Sequence, residues 1–235
     1  MAISTLLCDL DGTLLPMDTE NFMKQYMRLL AQRVSPYMPA QEFVHKLLAA
    51  THKMVINNDP LKTNREVFNE EFFGSTGLRK EELSPVFEDF YSRDFPSLAQ
   101  YTKPNAVARQ VLAKAQSKGL TLVVATNPVF PMTAIRERLR WAGVDDFGFR
   151  LVTSYEEMHF CKPNPNYYRE ILDYLKVNPE ECLMVGNDAE EDLVAGELKI
   201  TTFLVEDCLI QRGTMNQRPD YQGSMTDLLR LLETL

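Results

Sequence analysis

Apolar positions along the chain follow two rhythms. Near the start, Leu6-Leu7-Cys8 is a short continuous apolar run, which reads as a buried strand. It breaks into the polar loop Asp9-Leu10-Asp11-Gly12-Thr13. The pattern then turns helical. Phe22, Tyr26, Leu29, Leu30 and Val34 fall at helical spacing across residues 19–34, and Phe43, Val44, Leu47, Leu48 and Val55 do so across residues 41–56. Asn57-Asn58-Asp59-Pro60 marks a turn. A third helix is predicted over residues 64–73, ended by Gly74 and Gly77, and a fourth over residues 80–91. Residues 16–98 thus read as an all-helical module of four helices.

From Tyr101 onward helices and strands alternate. Helices are predicted over residues 105–116, 132–142, 166–175, 188–195 and 225–232. Strands are predicted over residues 120–125, 149–152, 182–185 and 201–205. Such alternation implies an α/β fold, a parallel sheet with helices on both faces. The chain divides into a core of residues 1–15 and 99–235 and an inserted helical domain of residues 16–98. In a sheet of this kind the site lies beyond the carboxyl ends of the strands. Asp9, Thr126 and Asn187-Asp188 each end a predicted strand, so they are expected to share one site under the helical insertion.

Composition narrows the partners. The chain has 235 residues, 45% hydrophobic and 25% charged, an ordinary globular balance. No apolar run approaches the roughly 20 residues of a membrane span, and the N-terminus lacks the basic and apolar regions of a signal peptide. The net charge of −8, with no basic tail, argues against nucleic acid and anionic membranes as partners. Cys8, Cys161, Cys182 and Cys208 show no metal-binding spacing and are expected to be reduced thiols. A cytoplasmic protein, monomeric or homodimeric, is expected.

The chemistry concentrates at the strand ends. Asp9 and Asp11, where a strand breaks into a loop, can converge on one point. Their mutual repulsion favours a shared proton or cation. Such a pair supplies a nucleophile, an acid or base and hard oxygens for Mg²⁺. Gly12 permits a tight turn that brings backbone N–H groups near an anion. Thr126 and Asn127 suit either phosphate oxygens or a helix N-cap. Lys162, between Cys161 and Pro163, is either held toward the site or solvated at the surface. Asp188 is a candidate metal ligand, and Asp192, one helical turn on, would buttress it. Glu190 and Glu191 are read as solvated acids near a helix start, and His45, His52 and His159 as structural or surface residues. Lys24, Arg28 and Arg65 are expected on solvated helix faces.

Taken together, Asp9-Leu10-Asp11-Gly12-Thr13-Leu14, the strand ending at Thr126, Lys162-Pro163, and Gly186-Asn187-Asp188 with Asp192 resemble, in order, the motifs of the haloacid dehalogenase superfamily. The resemblance implies a Rossmann-like core with a mobile helical cap. It implies a Mg²⁺-dependent phosphatase acting on a small phosphorylated metabolite. Asp9 would be the nucleophile that forms an aspartyl-phosphate, and Asp11 the acid and then the base. Gly12, Thr13, Thr126, Asn127 and Lys162 would contact the phosphoryl group. Asp9, the Asp11 backbone carbonyl and Asp188 would bind the metal, with Asn187 and Asp192 behind them. Two positions depart from the pattern: Asn187 stands where an Asp is common, and Cys161 where a Gly is common. Asp11 speaks against a dehalogenase, and no one of Lys24, Lys46 and Lys53 stands out as the extra lysine of a phosphonate hydrolase. Phosphoglucomutase-like transfer and a non-catalytic phospho-acceptor are the alternatives. The helical insertion disfavours the second.

Overall fold

The computed structural model describes residues 2–213 and 217–234. Among the described residues, β1 (Thr5–Cys8), β2 (Thr121–Val124), β3 (Leu151–Val152), β4 (Cys182–Gly186), β5 (Thr201–Val205) and β6 (Tyr221–Gly223) form one 6-stranded sheet. Every pairing is parallel and the order is β3-β2-β1-β4-β5-β6. The strand order reverses direction at β1 and β4, so the crevice of the switch point lies beyond their carboxyl ends. The fold is α/β, as the alternation of elements predicted, and Rossmann-like, as the resemblance implied.

Alternate side chains along the strands feed two cores. Leu6, Cys8, Val124, Leu183 and Val185 pack on one face with α5 (Ala106–Ser117), α6 (Met132–Ala142) and α8 (Met225–Thr234). Leu7, Val123 and Met184 pack on the other with α7 (Pro165–Leu175) and the 3-10 helix Leu193–Leu198. Both faces are covered, which is why β1 and β4 are buried along their full length.

Between β1 and β2 the chain forms α1 (Thr19–Val34), α2 (Ala40–Val55), α3 (Asn64–Thr76) and α4 (Lys80–Asp89). Thr63 and Glu66 form a capping box at the start of α3. The next N–H groups of that helix reach core loops: Asn64 N donates to Met158 O at 2.8 Å and Arg65 N to Tyr155 O at 2.7 Å. The fourth helix was expected to run to residue 91. It instead widens into a π turn, Phe90–Asp94, followed by a 3-10 turn, Phe95–Tyr101. A π turn sets residues five apart on nearly one face, and Phe90 and Phe95 are both fully buried. The helical run therefore ends three residues beyond residue 98. Its entry and exit lie side by side: Met17 bridges Thr102, and Lys103 N donates to Pro16 O at 3.0 Å.

Other differences are local. The helix expected over residues 188–195 is a turn that leads into the 3-10 helix Leu193–Leu198. The strand expected over residues 149–152 pairs only at Leu151 and Val152. The edge strand β6 had no sequence signal, because Tyr221-Gln222-Gly223 is short and largely polar.

Phe95 packs against Phe22, Tyr26, Phe90, Tyr91 and the single tryptophan, Trp141, whose ring it stacks on at 5.2 Å. Phe95→Ala is expected to lower stability by about 3–5 kcal/mol. Urea unfolding followed by Trp141 fluorescence checks this.

Candidate active site

β1 delivers Asp9 to the centre of the switch point, where Asp9 N continues the ladder by donating to Val185 O at 2.9 Å. The chain then turns back: Gly12 N donates to Leu15 O and Leu15 N to Leu10 O, both at 2.8 Å. Gly12 has φ +89°, and a Cβ there would lie 2.3 Å from Asn187 Nδ2. Only glycine accepts both the conformation and the close approach. Asn187 braces this turn, taking the Thr13 hydroxyl proton at 2.9 Å and donating to Cys208 O at 2.7 Å.

Lys162 is not a surface lysine. It is 1% exposed, and its Nζ lies 3.0 Å from Asp9 Oδ1 and 2.6 Å from Asp192 Oδ1. Burial works against its charge, but Asp192 and Asp9 more than compensate, and the ammonium is held well above its ordinary pKa. For Asp9 and Asp192, burial raises the proton affinity and the shared ammonium opposes it. Asp192 also accepts from Asp188 N at 2.9 Å. Gly186 makes room for it, since a Cβ there would lie 2.0 Å from Asp192 Oδ2.

Asp11 has a partner the sequence reading missed. The fully buried Arg138 of α6 donates to Asp11 Oδ2 through Nη1 and to Ala134 O at 3.3 Å through Nε. The guanidinium also lies over the Phe130 ring, 4.4 Å from its centroid. Among the described residues Asp11 Oδ1 is buried without a hydrogen-bond partner. Burial raises the Asp11 carboxyl above the usual aspartate range, although Arg138 pulls it down. A signal for Arg138 existed: it shares the apolar stripe of its helix with Ile135, Leu139 and Ala142.

The remaining candidates converge on the same crevice. Thr126 is 2% exposed, and its carbonyl accepts from Thr153 Oγ1 at 2.7 Å and Tyr167 OH at 2.9 Å. Neither Thr126 nor Asn127 caps a helix; Pro131 is the N-cap residue of α6. Asn127 Nδ2 donates to Glu191 Oε2 at 2.9 Å. Glu191 is therefore not the solvated acid expected. It is half-buried, and burial lifts its carboxyl from 4.5 to about 7. Glu190 is exposed, as are Lys24, Arg28 and Arg65. His45 and His52 are exposed too, and His159 Nδ1 is 2.6 Å from Glu170 Oε1.

Asp188 Oδ1 accepts from Glu190 N at 2.9 Å and Glu191 N at 3.1 Å, and Oδ2 pairs with Arg212 at 2.8 Å. Arg212 had no sequence signal. A short bridge between Asp188 and Ile210 brings its segment here. Among the described residues, no three acidic, His or Cys side chains gather as a metal cage. The hard oxygens that could hold a metal are the Asp9 and Asp188 carboxylates and the Asp11 backbone carbonyl, with Asp188 Oδ2 held by Arg212 in this structure. That donor set suits Mg²⁺, which binds through one or two carboxylates and keeps water and substrate oxygens for the rest.

Comparison with known proteins gives the family. Residues 3–198 match the haloacid dehalogenase-like hydrolases, and the chain belongs to that family. It is 25% identical over 239 residues to the pyrophosphatase PpaX of Bacillus cereus (strain G9842), spanning 100% of this chain and 99% of the relative. Its fold is similar to that of a HAD phosphatase from Thermococcus onnurineus, with TM-score 0.62, 19% identity and 98% of each chain covered. It is also similar to a predicted phosphoglycolate phosphatase from Haemophilus somnus 129PT, with TM-score 0.61, 17% identity and 97% of each covered.

Removing one member of a buried ion pair strands the other. Arg138→Met is expected to cost about 3–5 kcal/mol. Adding Asp11→Asn should restore much of that loss, read from the four denaturation midpoints of a double-mutant cycle. Glu191 carries a pH signature. Its folded pKa lies above its unfolded one, so its contribution is complete below about pH 4.5 and is lost as pH rises to about 7. Without divalent metal, Glu191→Gln should exceed the parent in stability above pH 7 by on the order of 1–2 kcal/mol. The gap should close toward pH 4.5.

Proposed function

We propose that this family member is a Mg²⁺-dependent phosphatase that hydrolyses a small phosphorylated metabolite through an aspartyl-phosphate. The reading rests above all on Asp11: one oxygen is gripped by Arg138, while the buried Oδ1 has no hydrogen-bond partner among the described residues, two residues from the Lys162-bound Asp9. An acid so arranged has one oxygen free for proton transfer.

In the first step an Asp9 oxygen attacks phosphorus. The bond to the leaving group breaks, its electron pair moves to the leaving oxygen, and that oxygen takes the proton of Asp11. In the second step Asp11 takes a proton from water, whose oxygen displaces Asp9 and releases inorganic phosphate. Lys162, the Thr126 hydroxyl and Asn127 would hold the phosphoryl oxygens, whereas the Gly12 and Thr13 N–H groups are used within the turn, on Leu15 O and Leu10 O. Asp9, the Asp11 carbonyl and Asp188 would hold Mg²⁺, which supplies charge neutralisation at the transferring group. Asn187 and Asp192 stand behind these residues.

The helical segment, residues 16–98, would act as a cap over this site. The adjacent crossings at Pro16–Met17 and Thr102–Lys103 suit a hinge. Closure would exclude bulk water until the first step is complete. A net charge of −8 leaves nucleic acid an unsuitable partner, and a cytoplasmic metabolite fits the reduced cysteines.

Release of inorganic phosphate from an aryl phosphate tests the reading. Turnover should vanish with a chelator and return with Mg²⁺. Asp9→Asn should abolish it, and Asp11→Asn should lower it by roughly 10²–10⁴-fold. Full turnover by Asp9→Asn would sink the nucleophile assignment.

A further inference from the structure

The loop after β5 sends one side chain back to the candidate site. Its backbone is tied to the turn after β4 by three hydrogen bonds. Asn187 Nδ2 donates to Cys208 O at 2.7 Å, Ile210 N to Asn187 O at 2.8 Å and Ala189 N to Ile210 O at 2.9 Å. Arg212 follows two residues later, so its side chain starts from a fixed point beside the crevice. Its Nη1 lies 2.8 Å from Asp188 Oδ2 and 3.5 Å from Glu190 Oε2. The pair is lopsided in burial: the Asp188 side chain is 9% exposed and that of Arg212 53%. The acid is fixed, and the cation has room to move.

The two oxygens of Asp188 are not equivalent. Oδ1 accepts from Glu190 N at 2.9 Å and from Glu191 N at 3.1 Å, which uses both of its lone pairs. Oδ2 is the oxygen left for a cation, and in this structure that cation is Arg212. A divalent metal held by Asp188 needs the same atom. A guanidinium and a doubly charged ion side by side on one buried oxygen would repel each other. Glu190, exposed and already beside Nη1, offers the guanidinium a second seat. A planar guanidinium with five donors on a long stem changes acceptors without any movement of its backbone.

We propose that Arg212 is a positioning residue that competes with the divalent cation for Asp188 Oδ2: it holds that carboxylate in place before the metal arrives and passes to Glu190 when the metal binds. The proposal rests on the Mg²⁺-dependent reading and adds to it a residue that is not itself a ligand. Metal affinity then depends on a side chain outside the donor set, because binding must first break the Arg212–Asp188 pair.

The test follows Mg²⁺ binding without substrate, by calorimetric titration and thermal denaturation, in the parent, Arg212→Gln and Arg212→Lys. Without metal, Arg212→Gln should lower the Tm, because Asp188 loses its cation. Saturating Mg²⁺ should close that gap, whereas an arginine with only a structural role would leave it unchanged. The Kd of Arg212→Gln for Mg²⁺ should fall below the parent's by at least about threefold, the worth of one partly exposed ion pair. Arg212→Lys keeps the charge and should stay near the parent. Glu190→Gln should weaken Mg²⁺ binding more in the parent than in Arg212→Gln, and an equal effect in the two would remove the second seat. An affinity in Arg212→Gln equal to or weaker than the parent's, with a Tm gap that Mg²⁺ does not close, overturns the competition while metal-dependent phosphate release stands. Absence of Mg²⁺ binding in all three proteins also overturns it. If phosphate release then ignores a chelator as well, the Mg²⁺-dependent reading falls with it.

Discussion

Four carboxylates gathered at the ends of two neighbouring strands set the terms for this molecule. Asp9, Asp11, Asp188 and Asp192 lie where β1 and β4 run out, and each repels the others in a medium that screens poorly. Each also has a cation. Lys162 serves Asp9 and Asp192, Arg138 serves Asp11 and Arg212 serves Asp188. The cations arrive from three separate parts of the chain: the segment before α7, the middle of α6 and the loop after β5. Buried ion pairs of this kind add little net stability, since desolvation offsets most of the attraction. Their effect is geometric. Each carboxylate can be neutralised only if its oxygens point one way.

The backbone around the acids is built to allow that proximity. Gly12 and Gly186 stand where a Cβ would collide with Asn187 and Asp192. Thr13, Asn187 and Cys208 O form a chain of hydrogen bonds across the crevice, from the first loop to the segment after β5. The sheet supplies the rigid base. Its strands are covered on both faces, so their ends move little, and the loops inherit that precision.

The helical segment is bound to the same framework by aromatic contacts and by a few main-chain bonds. Phe22 and Phe95 reach Trp141 of α6, and Tyr26 reaches Phe130. Arg138 lies over the ring of Phe130, so one guanidinium touches both Asp11 and the ring that Tyr26 packs on. The position of the helices and the orientation of Asp11 are thereby coupled through packing rather than through any hinge residue alone.

The local features were legible in the chain itself. Continuous apolar runs identified the buried strands, helical periodicity identified the insertion, and polar residues at strand ends singled out Asp9, Thr126 and Asp188 as candidates, with Lys162 and Asp192 in the segments beside them. Each is a property of a few consecutive residues, or of a short motif. The π turn at Phe90–Asp94 and the polar edge strand β6 were not legible, because neighbouring elements stabilise them against their own weak propensity. The partners of the acids belong to the same class. Arg138 lies 127 residues from Asp11, and Glu191 looked like any acid near a helix start until Asn127 and the surrounding burial enclosed it. The sequence by itself determined the buried strands, most of the helices and which side chains offer candidate chemistry, since these follow from periodicity and residue type. Only the tertiary structure decided which cation neutralises which carboxylate, because charge pairing and burial depend on distances that exist only once the elements have packed.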